Sequence, residues 1–295
     1  MKIRIFKDKL STLWMFFFFI IIIVLPLFMG IGLFYKSSLL FQSKSVFSLL
    51  SSTNWKPISG KFGFLPFIIS SLWVTGIAIL FAMPICILTA IHLTQYAKKY
   101  VLQIMQPVID ILAGIPSVIF GVWGIIIVVP VISDYIAPIL GKESSGYTIL
   151  AGAIVLSIML IPFILNILIE IFNTIPTELT EVSLSLGAGK WQTIKYVLMR
   201  KAFPGIVAAM GLGISRAFGE TIAVLMVVGN VVKMPTGALQ PGYPLPALIA
   251  NNYGEMLSIP MYDSALMFAA LLLFIIVLLF NLLSRYAITA LEKRI

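Results

Sequence analysis

Apolar positions in this chain run on for whole membrane thicknesses, instead of alternating with polar ones. Six stretches are long enough to span: Leu13–Tyr35, Leu65–Leu93, Val108–Ile132, Thr148–Phe172, Phe203–Val232 and Ser264–Ile288. A helix needs about 20 apolar residues to cross about 30 Å of hydrocarbon, and it satisfies its own backbone hydrogen bonds there. The pattern predicts an all-α polytopic membrane protein with six transmembrane helices. Gly114 and Pro116 interrupt the third stretch and predict a kink that could let a gate bend. The first stretch has 23 residues, and Phe34, Tyr35 and Lys36 stand where a signal-peptide cleavage site would be. Signal cores run about 7–15 residues, so this stretch is expected to persist as an anchor.

Composition sharpens the class. The 295 residues are 60% hydrophobic and 11% charged, against about 25% charge in soluble domains. Soluble enzymes, disulfide scaffolds and disordered regulators are excluded. One cysteine, Cys86, cannot form an internal disulfide. The formal charge of +9 reads as basic residues flanking membrane spans, not as a nucleic-acid surface.

Those basic residues predict the orientation. With the N-terminus in the cytoplasm, inside segments hold thirteen: Lys2, Arg4, Lys7, Lys9, Lys98, Lys99, Lys190, Lys195, Arg200, Lys201, Arg285, Lys293 and Arg294. Outside segments hold six: Lys36, Lys44, Lys56, Lys61, Lys142 and Lys233. The asymmetry favours both termini inside. Lys36–Phe64 and Val231–Asp263 are then outer connections, and Asn173–Ala202 is an inner one. None is long enough to be an ATPase. The chain divides into an anchor and outer loop over 1–64, a permease core over 65–288 and a cytoplasmic tail over 289–295.

The inner connection is patterned. Pro176, Glu178 and Glu181 suit the first turns of a helix, with Leu179, Val182 and Leu186 on one face. Gly187-Ala188-Gly189 breaks it. A second run follows, with Trp191, Ile194, Val197 and Leu198 together. Two short helices around a glycine turn make either a docking knob or an interfacial anchor. The run Gly187-Ala188-Gly189-Lys190 is not a nucleotide loop: Leu184 stands where its first glycine belongs and Trp191 where Ser/Thr belongs.

The fifth stretch holds Arg216 and Glu220. Four residues apart, they are expected to share a helix face and to pair, because charge at this depth is costly. Gly205, Ala209, Gly213 and Ala217 form a small-residue row on one side; Gly211, Ser215, Gly219 and Ala223 form another. Such rows let helices approach closely, so this span is expected to be central. The pair is either a structural staple or an anion path, in which the guanidinium suits oxyanion geometry. Thr221 and the span-two hydroxyls of Ser70, Ser71 and Thr75 are candidates to line such a path. Asp110 and Glu170 are expected at span ends. His92, the only histidine, lacks companions for a metal site or catalytic pair; no cofactor is expected. Pro241–Pro246 and Asn251–Tyr253 could meet an external partner.

Four motifs carry a family resemblance. Glu181 to Gly187, followed by Val197, resembles the EAA loop of ABC-importer permeases. Val182 and Ser183 replace its two alanines, and Met199-Arg200 its usual Leu-Pro. The stretch Gly213-Ile214-Ser215-Arg216-Ala217-Phe218-Gly219-Glu220-Thr221-Ile222-Ala223-Val224, ending in Gly229-Asn230, resembles the fifth-span signature of Pst-type phosphate-uptake permeases. Ile222-Ala223-Val224 favours the C-type subunit over the A-type. Leu112-Ala113-Gly114-Ile115-Pro116-Ser117-Val118, with Gly121, and Phe62-Gly63-Phe64-Leu65-Pro66 are similar to two further motifs of that family.

The resemblance implies a type I ABC-importer permease fold and phosphate import. It also implies partners: an A-type permease, two ATPase subunits, an external phosphate-binding protein and the lipid bilayer of the plasma membrane. Glu181, Leu184, Gly187, Ala188 and Trp191 would dock an ATPase, and this chain would be no enzyme. Import of a negative charge costs about 2.3 kcal/mol per 100 mV of inside-negative potential, so an energy source is required. The alternatives are a permease for another oxyanion, molybdate or sulfate, and an ion-coupled secondary transporter.

Overall fold

The computed structural model describes residues 2–254 and 259–292. Lys293 and Arg294, counted above as inside residues, lie outside the described residues, as does the end of the 289–295 tail. Among the described residues six helices are long and apolar enough to span. Helix α1 is Lys2–Lys36, α2 is Leu65–Tyr96, and a separate helix α3 is Lys99–Ala113. Then come α4 (Ser117–Ile139) and α5 (Ile149–Asn173). The short α6 (Thr177–Ser185) precedes α7 (Lys190–Gly219). After α8 (Ile222–Val227) and α9 (Leu245–Asn252), α10 (Pro260–Glu292) closes the chain.

Two spans differ from the hydropathy pattern, for local reasons. The third begins at Ser117, not Val108, and ends at Ile139. Gly114 and Pro116 do not kink a span; they separate two helices. Pro116 is extended (ψ 139) at the start of α4. The residue before a proline is pushed out of the helical region. Helix α3 turns Leu102, Met105 and Ile109 inward and carries the polar Lys99, Gln103 and Gln106.

The fifth span starts earlier and ends earlier than the apolar stretch. Helix α7 begins in the inner connection at Lys190 and stops at Gly219, where Glu220 turns extended (ψ 125). The second run of the expected knob is therefore the first turns of this span, not a separate element.

Helix α5 is the most enclosed span and packs along α2, α3, α7 and α8. Its Ile164 and Leu168 share one buried cluster with Ile79, Ala82, Cys86, Ala209 and Val224. The expected small rows do bring α7 close to its neighbours. A Cβ at Gly213 would lie 2.8 Å from Ile164 Cδ1, one at Gly205 would lie 2.7 Å from Ile171 Cγ2, and Gly211 abuts Ser284.

A second cluster gathers the loop end of the bundle, where residues 36–64 and 229–254 lie. Trp55 is ringed edge-to-face by Phe62, Phe64, Phe67 and Tyr262, at 5.0–5.9 Å between centroids. Such pairs hold beyond their buried area and fasten residues 36–64 onto α2 and α10. Helix α1 touches the rest of the bundle mainly along α10, and its aromatic run Trp14–Phe19 is exposed.

Candidate functional site

The break after Gly219 changes the relation of the two charges. Arg216 and Glu220 do not share a helix face and form no ion pair. The carboxylate of Glu220 instead accepts the backbone N–H of Ala223 at 3.2 Å. A negative charge at a helix N-terminus is favourable, so Glu220 restarts the chain as α8. Arg216, exposed in this chain, lays its guanidinium over the ring of Phe163 on α5, with Cζ 4.4 Å from the centroid. Among the described residues it donates no hydrogen bond, so its donor fork is free.

Glu220 is half-buried in a cleft with Ser71, Thr75, Ala217, Phe218, Val224, Pro244 and Pro246. The space in this half-open cleft is about 10 Å³, one water's worth. The structure thus brings Glu220, Ser71 and Thr75 together, with Thr221 beside them and Arg216 one helical turn before Glu220. Thr221 donates only to Gly219 O, at 3.3 Å.

Ser70 and Ser71 have structural partners. Ser70 Oγ donates to Pro66 O at 2.7 Å and accepts Tyr243 N–H at 3.1 Å. Ser71 Oγ donates to Phe67 O at 2.9 Å and accepts Leu245 N–H at 2.9 Å. These hydroxyls fasten the Pro241–Pro246 segment onto α2. Asn251 and Asn252 both donate to Tyr243 Oη, at 3.0 and 3.1 Å. The loop's start is shaped by Gly229 (φ 95) and Asn230 (φ 53). Asn230 Nδ2 caps Leu225 O at 2.8 Å.

At the opposite end, α6 and the start of α7 form the knob. Gly187 (φ 84) makes the turn, in a region that L side chains enter at a cost. Its N–H bonds Leu184 O at 2.9 Å, and Ala188 N–H bonds Ser183 O at 3.2 Å. Ser183 and Thr193 hydroxyls share a 2.9 Å bond across the turn, and Gln192 caps Gly189 N–H at 2.8 Å. Ile194 and Leu198 are buried, while Leu179, Val182, Leu184, Leu186 and Trp191 are exposed, Leu186 at 84%. Glu181 is exposed beside them. The knob is braced to α2 by Lys190, whose Nζ lies 4.7 Å over the Tyr96 ring.

Several of these contacts escape sequence reasoning. Phe163 is one aromatic in an apolar span and carries no signal of its own. Asn166 does carry one, as an amide within α5. It accepts Gln106 Nε2 at 2.9 Å and donates to Asp110 Oδ1 at 2.8 Å. Asp110, three residues from the end of α3, therefore also stands against α5.

Comparisons with known proteins bear on the family and the fold. A family model described as "Binding-protein-dependent transport system inner membrane component" matches residues 82–295. A phosphate transport system permease protein PstC of Xylella fastidiosa is 35% identical over 261 residues, covering 84% of this chain and 80% of the relative. A probable ABC transporter permease protein YqgH of Bacillus subtilis is 38% identical, covering 89% of this chain and 83% of the relative. A probable PstC of Methanocaldococcus jannaschii is 33% identical, covering 87% and 86%. Among solved structures, a bacterial alginate ABC transporter chain aligns with a TM-score of 0.62 at 17% identity, covering 96% of this chain and 94% of that one. A chain of the MetNI methionine ABC transporter aligns with a TM-score of 0.58 at 22% identity, covering 81% and 99%. These two share the fold.

Proposed function

Because the chain belongs to the family of binding-protein-dependent transport system inner membrane components, we propose that it is the C-type permease subunit of an ATP-driven phosphate importer. The free guanidinium of Arg216, exposed within a span and held over the Phe163 ring, carries this reading. An exposed charge at that depth needs water or a protein partner, and a planar fork suits tetrahedral oxyanion oxygens. In this reading Arg216 meets phosphate, and Glu220, Thr221, Ser71 and Thr75 form the wall behind it. The small cleft at Glu220 is then a closed state of that wall. Ser70 supports the wall through the loop it holds.

The chain supplies one side of the path, and an A-type permease closes the other. The exposed apolar knob around Gly187, with Glu181, Leu184, Ala188 and Trp191, docks one of two ATPases, so the energy enters from outside this chain. Gly114 and Pro116 provide the joint between α3 and α4. The loop end faces an external phosphate-binding protein, and the termini and knob face the cytoplasm. Residues 1–64 serve as anchor and outer loop, and 65–288 as the core.

Uptake of labelled phosphate tests the assignment. A strain lacking this chain should lose high-affinity uptake and regain it on complementation, with sulfate and molybdate failing to compete. Competition by either anion would reassign the substrate.

A further inference from the structure

Two opposite charges rest against residues about one helical turn apart on one face of α5, and among the described residues neither has an oppositely charged partner. Arg216 rests on Phe163. Three residues further on, about 4.5 Å along the helix axis, Asn166 holds Asp110 Oδ1 at 2.8 Å. The amide cannot flip without losing a bond, because its oxygen is already taken by Gln106 Nε2 at 2.9 Å. Gln106 thus aims the Asn166 NH₂ group, and Asn166 in turn fixes the carboxylate. Among the described residues, the second oxygen of Asp110 receives no donor. Asp110 is exposed and Asn166 half-exposed, about two turns before the end of α5. Charged and amide groups at such a depth face a water path or a protein, not lipid.

A guanidinium donor and an oriented carboxylate acceptor held against adjacent turns of α5 suit a particular ligand chemistry: an anion that also carries a proton. At neutral pH inorganic phosphate keeps one or two P–OH groups, whereas sulfate and molybdate keep none. We propose that Asp110, positioned by Asn166 and Gln106, is a second contact on the anion path and accepts a hydrogen bond from the oxyanion's own hydroxyl, selecting protonated oxyanions of the phosphate class. This rests on the reading of the chain as a phosphate permease. A site built to bond a hydroxyl rejects the analogue that lacks one far more strongly than it rejects a change of size.

The test uses the complete importer in proteoliposomes, with partner permease, ATPase and phosphate-loaded binding protein. Asp110→Asn should lower phosphate uptake per assembled complex by at least about tenfold, the scale of one charge-assisted bond. Complex assembly and stimulation of the ATPase by loaded binding protein should persist. Asp110→Glu should recover much of the uptake, because it restores an anionic acceptor. In a Cys86→Ser background, a thiol introduced by Asp110→Cys should react with a small anionic methanethiosulfonate. Wild-type uptake by Asp110→Asn overturns the proposal, as does an unreactive thiol. Loss of complex assembly in Asp110→Asn also overturns it, since the carboxylate would then bind the partner permease. If the wild-type complex itself carries no phosphate, the functional reading falls and this proposal with it.

Discussion

Arg216 lies across the ring of Phe163, its Cζ 4.4 Å from the centroid, while Glu220, four residues on, bonds Ala223 N–H instead. Cation and carboxylate are held apart by a change of backbone direction at Gly219. A structural ion pair would be satisfied within the chain; this guanidinium is oriented by an aromatic face and keeps its donors free. Removing it therefore leaves no buried carboxylate orphaned.

Arg216→Lys tests the fork. A lysine keeps the charge but offers a compact point donor. Phosphate uptake per assembled complex should fall by about tenfold or more, with expression and assembly unchanged. Arg216→Met combined with Glu220→Gln should likewise assemble and fail to transport. Near-normal uptake in either variant would make both residues scaffold.

Phe163→Leu removes the ring that orients Arg216 and keeps an apolar side chain of similar bulk. A cation–π contact is worth about 0.5–2 kcal/mol, so uptake should fall several-fold, mainly through the maximal rate. An unchanged rate would show that the stacking does not position the guanidinium.

Gly187→Leu tests the knob. No atom lies within 4 Å of an added Cβ there, so the cost is conformational: about 1–2 kcal/mol for a left-handed residue, or a relaxed turn that misplaces Leu184, Leu186 and Trp191. The chain should insert normally and lose its ATPase on purification. Retained ATPase with full uptake would remove the docking assignment.

Gly213→Val tests the close packing of α7. Its Cβ would sit 2.8 Å from Ile164 Cδ1 and 3.4 Å from Ile79 Cδ1. Overpacking costs about 1–3 kcal/mol, so the purified complex should melt several degrees lower. Gly219→Ala is the control, because no atom lies within 4 Å there and it should melt like wild type.

Orientation is tested by labelling. Cys86 is buried and donates to Ile161 O at 3.5 Å, so Cys86→Ser gives a clean background. Lys142 and Gln192 are both exposed. An impermeant thiol reagent on intact cells should label Lys142→Cys and spare Gln192→Cys. The reverse would place the knob outside and end its role as an ATPase dock.

The spans most legible in the sequence are those bounded by polar or turn residues. The second and fourth run over 65–96 and 149–173, close to their apolar stretches, because Pro66 and Thr148 mark their starts. Hydropathy cannot see a change of helix axis between two apolar residues, so it joined the end of α3 to α4 and carried the fifth span across Glu220. The motif glycines were legible as close approaches, and Gly213 and Gly205 are such contacts. Arg216 was legible as a charge in an apolar run, but its partner was not: helical spacing pointed to Glu220, and only tertiary packing brings in Phe163. Likewise Asp110 read as an end-of-span acid because its neighbour on α5, Asn166, lies 56 residues away in the chain.

Helix α7 begins at the knob and ends just past Arg216. Between Trp191 and Arg216 lie about 38 Å of unbroken helical backbone, eased by a wide turn at Ile194–Leu198 and by Pro204. If the knob is where an ATPase pulls, that backbone is a lever. A tilt of about 10° about the knob would swing the guanidinium sideways by about 6 Å, roughly the step from one helical turn to the next. Force applied at one rim of the membrane would then arrive at the anion as displacement.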